Sequence, residues 1–428
     1  MPTLVEGRYY ESPRWSHEFP DCSMPMSFDT YNVCSYNCLY CFSFYQRSLT
    51  SEDYRHRRVR AVNVEKVKRM FLEPDSSQFG EYIKQRKVMQ WGGLSDPFDE
   101  YERRFGKTLE LLRFFKEIDY PLSFSTKATW WTEDPRYVEL FEGQHNWHVK
   151  ISIITLDWGR GRRIELGVPS SDERFAALER IARWDSMAPT LRLRPFVIGL
   201  TDPYHTMMVK RAAETGCQSV STEFFCLENR MSKETRRRYR RMSEILGYDL
   251  VGRYRRYSST TGLLRLNRNV KRRFIEEMKE AADKYGIRLY VSDAHFKEVS
   301  AGGSCCGLPE SCNYNRGQFT EAVVIARKKG YVKWNDIEFD LGWAKNIKWR
   351  SAVGYNTGNS KAYARFYNHT LYDMIRYWWN NPKSGSSPYR YFEGVLVPDG
   401  LDDEGNIIYR FNPDVSIRQF KSAEVMNG

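Results

Sequence analysis

Apolar and polar positions change their rhythm along the chain in a regular way. Short strand-like runs recur at 26–33, 86–91, 121–127, 147–155, 191–198, 218–225 and 287–292. Between them lie stretches with helical character at 63–72, 102–116, 135–142, 171–184, 203–214 and 270–285. In 102–116 the apolar side is carried by Leu109, Leu111, Leu112 and Phe115. Strands alternating with helices predict a parallel sheet joined by crossover helices. With about six such units the economical α/β arrangement is a partial, open (β/α)6-type barrel, with ligands at the C-terminal strand ends.

The pattern also divides the chain. Residues 1–25 are a polar lead-in punctuated by Pro13, Pro20 and Pro25. Residues 26–295 form the barrel core, with a basic insert at 227–273. Residues 296–330 are rich in glycine and cysteine, and 331–428 form a basic, aromatic C-terminal module. That module carries Trp334, Trp343, Trp349, Trp378 and Trp379 and ends in an expected hairpin from Tyr391 to Phe411. No internal repeat and no low-complexity segment interrupts this order.

Composition narrows the class. Hydrophobic residues make up 41% and aromatics 15% of 428 residues, which supports a sizeable folded core. No run of about eighteen apolar residues occurs, so no helix is expected to span a membrane. Met1 to Arg14 carries charge throughout and has no apolar segment, so no secretory signal is expected and a cytoplasmic location follows. Nine cysteines in such a chain read as reduced and metal-binding, not as a disulfide framework.

Lys and Arg exceed Asp and Glu by 66 − 54 = 12. The excess is concentrated in Arg236-Arg237-Arg238-Tyr239-Arg240-Arg241, in Arg253-Tyr254-Arg255-Arg256-Tyr257 and in Lys271-Arg272-Arg273. Such runs suit a polyanion. The interleaved tyrosines point to nucleic acid, since aromatics stack on bases while arginines hold phosphates. Arg236, Arg237, Arg255, Arg256 and Tyr257 are the candidate contacts. A Tyr-bearing rather than Leu/Phe-bearing surface argues against an anionic membrane.

The densest chemistry lies in Cys34-Ser-Tyr-Asn-Cys38-Leu-Tyr-Cys41. Three thiols this close can wrap one metal centre. A zinc site of the common kind would want a second Cys/His pair, and no histidine lies within ten residues on either side. Three thiolates without a fourth suit an iron–sulfur cluster with one iron left open.

The spacing C-x3-C-x-aromatic-C, with Tyr40 as the aromatic, looks like the radical S-adenosylmethionine signature. Further stretches occur in that family's order: Asp29-Thr-Tyr31, Ser95-Asp96-Pro97, Ser125-Thr-Lys127, Ile151-Ser-Ile153 and Pro195-Phe-Val-Ile-Gly-Leu-Thr-Asp202. Together they make residues 22–300 resemble the spore photoproduct lyase-like branch. The resemblance implies reductive cleavage of S-adenosylmethionine at a 4Fe-4S cluster, giving a 5′-deoxyadenosyl radical that abstracts a hydrogen atom from substrate. It implies that Cys34, Cys38 and Cys41 ligate iron and that Tyr40 lies against the adenine. Gly92 and Gly93 would receive the amino group through backbone, and Lys127 and Ser152 would be polar contacts to the cofactor. An electron donor such as flavodoxin or ferredoxin is the implied partner, together with DNA.

One departure stands out. Spore photoproduct lyase returns a hydrogen atom from a cysteine a few tens of residues after the cluster, and here no cysteine lies between Cys41 and Cys217. This favours rearrangement or hypermodification of a thymine-like base over dimer repair, with Cys226 as a substitute donor. Cys305, Cys306 and Cys312 are candidates for an auxiliary metal centre. Such a centre would favour a different substrate, a peptide or protein side chain. A non-catalytic iron–sulfur nucleic-acid-binding protein is the third reading.

Overall fold

The computed structural model describes residues 4–6, 13–16, 18–43, 58–258, 260, 263–349 and 368–413. Its centre is an eight-stranded sheet: β1 (Arg14–Trp15), β2 (Met26–Phe28), β3 (Met89–Trp91), β4 (Leu122–Thr126), β5 (Trp147–Ser152), β6 (Thr190–Phe196), β7 (Ser219–Phe224) and β8 (Arg288–Val291). Spatial order follows chain order. Every neighbouring pair is parallel except the antiparallel edge pair β1–β2. Parallel neighbours need crossovers, and the alternation of strand and helix supplies them. The open parallel barrel expected from the pattern is the observed architecture.

The strands are shorter than their apolar runs. β2 ends at Phe28, where Asp29 turns the chain into the cysteine loop. The expected helix 102–116 is two helices, Glu100–Phe105 and Lys107–Glu117. Gly106, at φ +67°, ends the first and starts the second, a conformation that costs glycine little. Elsewhere the caps match the sequence: Asn63 accepts from the Lys66 amide at 2.9 Å to start Val64–Leu72, and Ser170 with Glu173 forms a capping box for Ser171–Ala182.

The two faces of the sheet differ completely. Leu122, Phe124, Trp147, Val149, Ile151, Leu191, Leu193 and Val220 point to the helices and are buried in one continuous core. The concave face is polar. Register aligns Ser125 with Lys150, Ser152 with Arg192, and Arg192 with Ser221.

The C-terminal region packs on this core. Trp343 stacks on Trp15 at 5.3 Å, and Lys87 pairs with Asp340 at 2.5 Å. All five tryptophans of the region are buried. Leu396–Leu401 and Ile407–Phe411 form the expected antiparallel hairpin, but Tyr391 belongs to the short helix Pro388–Tyr391 that precedes it. No helix among the described residues is long and apolar enough to cross a membrane.

Candidate functional site

The cysteine loop sits at the C-terminal edge of the sheet and is fastened from several directions. Asp99 Oδ2 accepts from the Ser35 amide at 2.5 Å, fixing its start. Cys38 lies in a two-residue strand (Asn37–Cys38) paired antiparallel with Glu165–Leu166. The Tyr40 hydroxyl donates to Glu165, whose other oxygen meets Arg174 Nη2 at 2.8 Å. Both ion-pair side chains are fully buried. Cys38 is buried, and Cys34 and Cys41 are partly exposed.

The glycine pair is held as firmly. Asp29 Oδ1 accepts from the amides of Leu94 and Ser95 at 2.8 Å each, and its other oxygen meets Arg14 at 2.5 Å. Asp96 accepts from Thr126 Oγ1 and the Lys127 amide at 2.6 Å each. Gly92 has φ +88°, and a Cβ there would lie 2.5 Å from the Ser125 carbonyl oxygen; one on Gly93 would lie 2.8 Å from Arg14 Nη2. Only glycine fits Gly92.

Lys127 Nζ lies 5.8 Å from the Tyr40 ring centroid. Burial alone would lower its ammonium, but the charges of Cys38, Glu165 and Asp96 hold it above its ordinary value. Ser152 Oγ accepts from Arg192 Nη1 at 3.4 Å. Cys34, Cys38, Cys41, Tyr40, Gly92, Gly93, Lys127 and Ser152 thus occupy strand ends and adjoining loops on one rim. Among the described residues no three Cys, His, Asp or Glu side chains are placed to hold a single metal ion. The three thiols on one short loop, a lysine ammonium above the aromatic ring and, at Gly92, a backbone with no room for a side chain suit a multi-iron cluster and an amino-acid-bearing cofactor.

Below the rim the concave face is a hydrogen-bonded polar floor. Lys150 Nζ donates to Gln90 Oε1 at 2.6 Å and to Ser123 Oγ at 2.7 Å, and His148 Nε2 lies 2.7 Å from Thr190 Oγ1. The segment Cys305–Gly307 lies along this face. The Cys305 carbonyl accepts from Arg194 Nη2 and from Ser221 Oγ, and the Gly307 carbonyl accepts from Ser219 Oγ at 3.4 Å. Burial, reinforced by Arg192 and Arg194 and opposed by Cys306, brings the Lys150 ammonium down to about 8.

Because that value lies below the ordinary 10.5, the unfolded chain holds a proton that the folded one has released between pH 8 and 10.5. This group therefore adds stability as pH rises through that window. Urea midpoints at pH 7.5 and 10 should show that rise, and Lys150→Met should abolish it. A rise that survives the substitution would assign it elsewhere.

Other thiols fall in different surroundings. Cys226 opens a small antiparallel ribbon, Cys226–Glu228 with Leu263–Arg265. Burial, then the charge of Glu223, pushes its thiol up to about 12, so it keeps its hydrogen at neutral pH. Cys312 turns into an apolar cluster with Met24, Val88, Leu308 and Tyr314. All nine cysteines are free. Nothing in the placement of Cys305, Cys306 and Cys312 supports the auxiliary centre expected of them.

The basic insert forms two helices, Lys233–Leu246 and Leu250–Tyr257. Arg236, Arg237, Arg255 and Arg256 are exposed and Tyr257 is half-buried. A groove of about 880 Å³ runs between the helices, lined by Arg236, Arg240, Arg255 and Tyr248 and also by the carboxylates Glu244 and Asp249. Tyr239 and Tyr254 depart from the expected stacking role. Both are buried, because they lie on the helix faces that pack against Phe225.

Several site residues were missed in the sequence. Polar residues alternate in His148-x-Lys150-x-Ser152 and Thr190-x-Arg192-x-Arg194. Parallel strands covered by helices usually read as continuous apolar runs, so this alternation marks a polar inner face. No local signal points to the Glu165–Arg174 pair or to Arg238.

No protein-family model matches the chain, and no curated protein matches it. Solved structures do. A cysteine-to-serine mutant of spore photoproduct lyase superposes with a TM-score of 0.51 at 17% identity, covering 67% of this chain and 81% of that one. A tyrosine-to-phenylalanine mutant of the same enzyme gives 0.50 at 16% identity, over 67% and 80% of the two chains. SuiB of Streptococcus suis bound to its precursor peptide gives 0.41 at 14% identity, over 65% and 51%, too distant to bear on this chain. The resemblance to the spore photoproduct lyase-like branch therefore holds for the fold.

Proposed function

We propose that the chain is a radical S-adenosylmethionine enzyme that modifies, rearranges or repairs a thymine-like base in DNA. The observation that carries the nucleic-acid reading is the placement of the basic insert. Its helix Lys233–Leu246 is hydrogen-bonded to the cysteine loop through Arg238, and the same helix lines a groove with Arg236 and Arg240 on its outer side.

Cys34, Cys38 and Cys41 would hold a 4Fe-4S cluster. Tyr40, Gly92, Gly93, Lys127 and Ser152 would hold S-adenosylmethionine. Bound and reduced, this pair would supply radical chemistry, the abstraction of a hydrogen atom from a C–H bond. The chain's own contributions are positional. Lys127, held cationic by its neighbours, would pair with the cofactor carboxylate. Asp29 and Asp96 keep the glycine loop in the shape that receives the amino group. Arg236, Arg237, Arg255, Arg256 and Tyr257 would hold the strand while a base is presented at the rim. Cys226, which retains its S–H hydrogen, would return a hydrogen atom to the product radical, and one electron from the external electron donor with a proton from solvent would restore its thiol.

The test is electrostatic and separable from the chemistry. Reversing Arg236, Arg237, Arg255 and Arg256 to Glu should abolish binding of a DNA oligonucleotide while iron content stays at the wild-type level. Wild-type affinity should fall steeply with salt, with a log–log slope of roughly −0.7 per phosphate neutralised on a single strand. Unchanged affinity in the charge-reversed protein would remove this region from the site. Production of 5′-deoxyadenosine by the reconstituted wild type separates an enzyme from a binding protein.

A further inference from the structure

The helix Lys233–Leu246 carries arginines on two sides with opposite surroundings. Arg236, Arg237, Arg240 and Arg241 are exposed. Arg238 is only 4% exposed and points the other way. Its guanidinium donates from Nε to the Leu39 carbonyl at 3.2 Å, from Nη1 to Asn37 Oδ1 at 3.1 Å, and from Nη2 to the Cys38 carbonyl. Three nitrogens of one planar group therefore grip three successive residues of the cysteine loop, 199–201 positions away in sequence.

The arrangement is stiff. A guanidinium presents its donors in a fixed fork, so the loop backbone is held in orientation as well as in place. The helix behind it is anchored along its length. Ser232 caps its start, accepting from the Thr235 amide at 3.1 Å. Tyr239, Met242, Ile245 and Leu246 bury its inner side, and Gly247 closes it at φ +78°. Arg237 is the preceding residue in the chain and Arg241 follows Arg238 by three positions, both exposed. The outer face of the helix and the cysteine loop are thus joined through one side chain. Arg238 also puts a full positive charge against the carbonyls between the thiols of Cys38 and Cys41, where it favours any added electron.

We propose that Arg238 is a positioning residue that ties the polyanion-binding face of this helix to the cysteine loop, so that nucleic acid bound outside alters the redox environment of the thiols inside. The proposal rests on the reading of the loop as a cluster site and of the outer face as a nucleic-acid surface. The link is one of physical contiguity, a single guanidinium joining the helix that carries the exposed arginines to the loop that carries the thiols.

The experiment uses reconstituted full-length protein and a single-stranded DNA oligonucleotide as probe. Binding is followed by fluorescence anisotropy, and the reduced protein by electron paramagnetic resonance and redox titration. In the wild type the oligonucleotide shifts the spectrum. In Arg238→Gln the iron content and oligonucleotide affinity remain near wild type, because Arg238 is buried. The midpoint potential falls without DNA, and addition of DNA no longer shifts the spectrum. Arg238→Lys, which keeps the charge but loses the fork, recovers most of the potential and little of the DNA response. That split distinguishes positioning from mere folding, and Arg238→Lys carries the test if Arg238→Gln fails to fold. A wild-type protein that binds the oligonucleotide without spectral change, or an Arg238→Gln protein with wild-type potential and response, overturns the proposal. An oligonucleotide that does not bind the wild type overturns the nucleic-acid reading and the coupling with it, and the potential of the variants still decides whether Arg238 positions the loop.

Discussion

Replacing any one of Cys34, Cys38 and Cys41 with alanine should reduce reconstituted iron to a small fraction of the wild-type content. It should also bring 5′-deoxyadenosine formation to background. Wild-type protein should take up about four irons per chain, the content of one cubane cluster. The expectation follows from how little redundancy surrounds the loop. Cys226, Cys305, Cys306 and Cys312 lie on other elements, in the ribbon, along the concave face and in a separate apolar cluster. A lost thiolate therefore has no substitute on its own loop. The loop backbone should survive, because Asp99, Arg238 and the pairing of Asn37–Cys38 with Glu165–Leu166 do not use the thiols. Far-UV circular dichroism should be unchanged, so lost iron is not lost fold. An alanine variant with full iron and full turnover would sink the assignment, and about eight irons in the wild type would restore the auxiliary centre and with it the peptide reading.

The second large effect is on stability. Arg174 and Glu165 form a fully buried pair at 2.8 Å, and Glu165 also receives the Tyr40 hydroxyl. Arg174 further donates to the Ser152 carbonyl at 2.6 Å. Arg174→Ala leaves a carboxylate in the core without its counter-charge, which costs about 3–5 kcal/mol in comparable buried pairs. The double variant Arg174→Met, Glu165→Gln removes both charges while keeping volume, and should lose clearly less than the single one. The coupling between the two positions is the quantity to measure, by urea denaturation of wild type, Arg174→Met, Glu165→Gln and the double variant in a double-mutant cycle. An unchanged midpoint for Arg174→Ala would mean that the carboxylate is neutralised in another way. Because Tyr40 shares the same carboxylate, the single variant should also loosen the aromatic beside Lys127.

The sequence was most legible where the signal is local. Strand-like runs separated by helical ones are repeated often enough that the parallel sheet and its order follow, and three cysteines within one short loop need no tertiary information. Boundaries were less legible. The apolar run at 26–33 continues past the strand because Asp29 onward serves a loop that is itself buried, and Gly106 breaks a helix that apolar spacing alone carries through. Legibility failed for contacts that only folding creates. Arg238 sits in a run of arginines identical in chemistry, and helix phase alone sends it inward while its neighbours face solvent. The same phase buries Tyr239, and the second helix does likewise with Tyr254, so interleaving in sequence did not become interleaving on the surface. Lys150 and Arg192 were readable in principle, as polar residues at every second position of strands covered by helices.

The Cys305–Gly307 segment lies on Ser219 and Ser221, and both serines are fully buried beneath it. It is a plug on the inner side of the sheet, so the charges of the polar floor act on their surroundings through protein, where a charge is felt more strongly than through solvent.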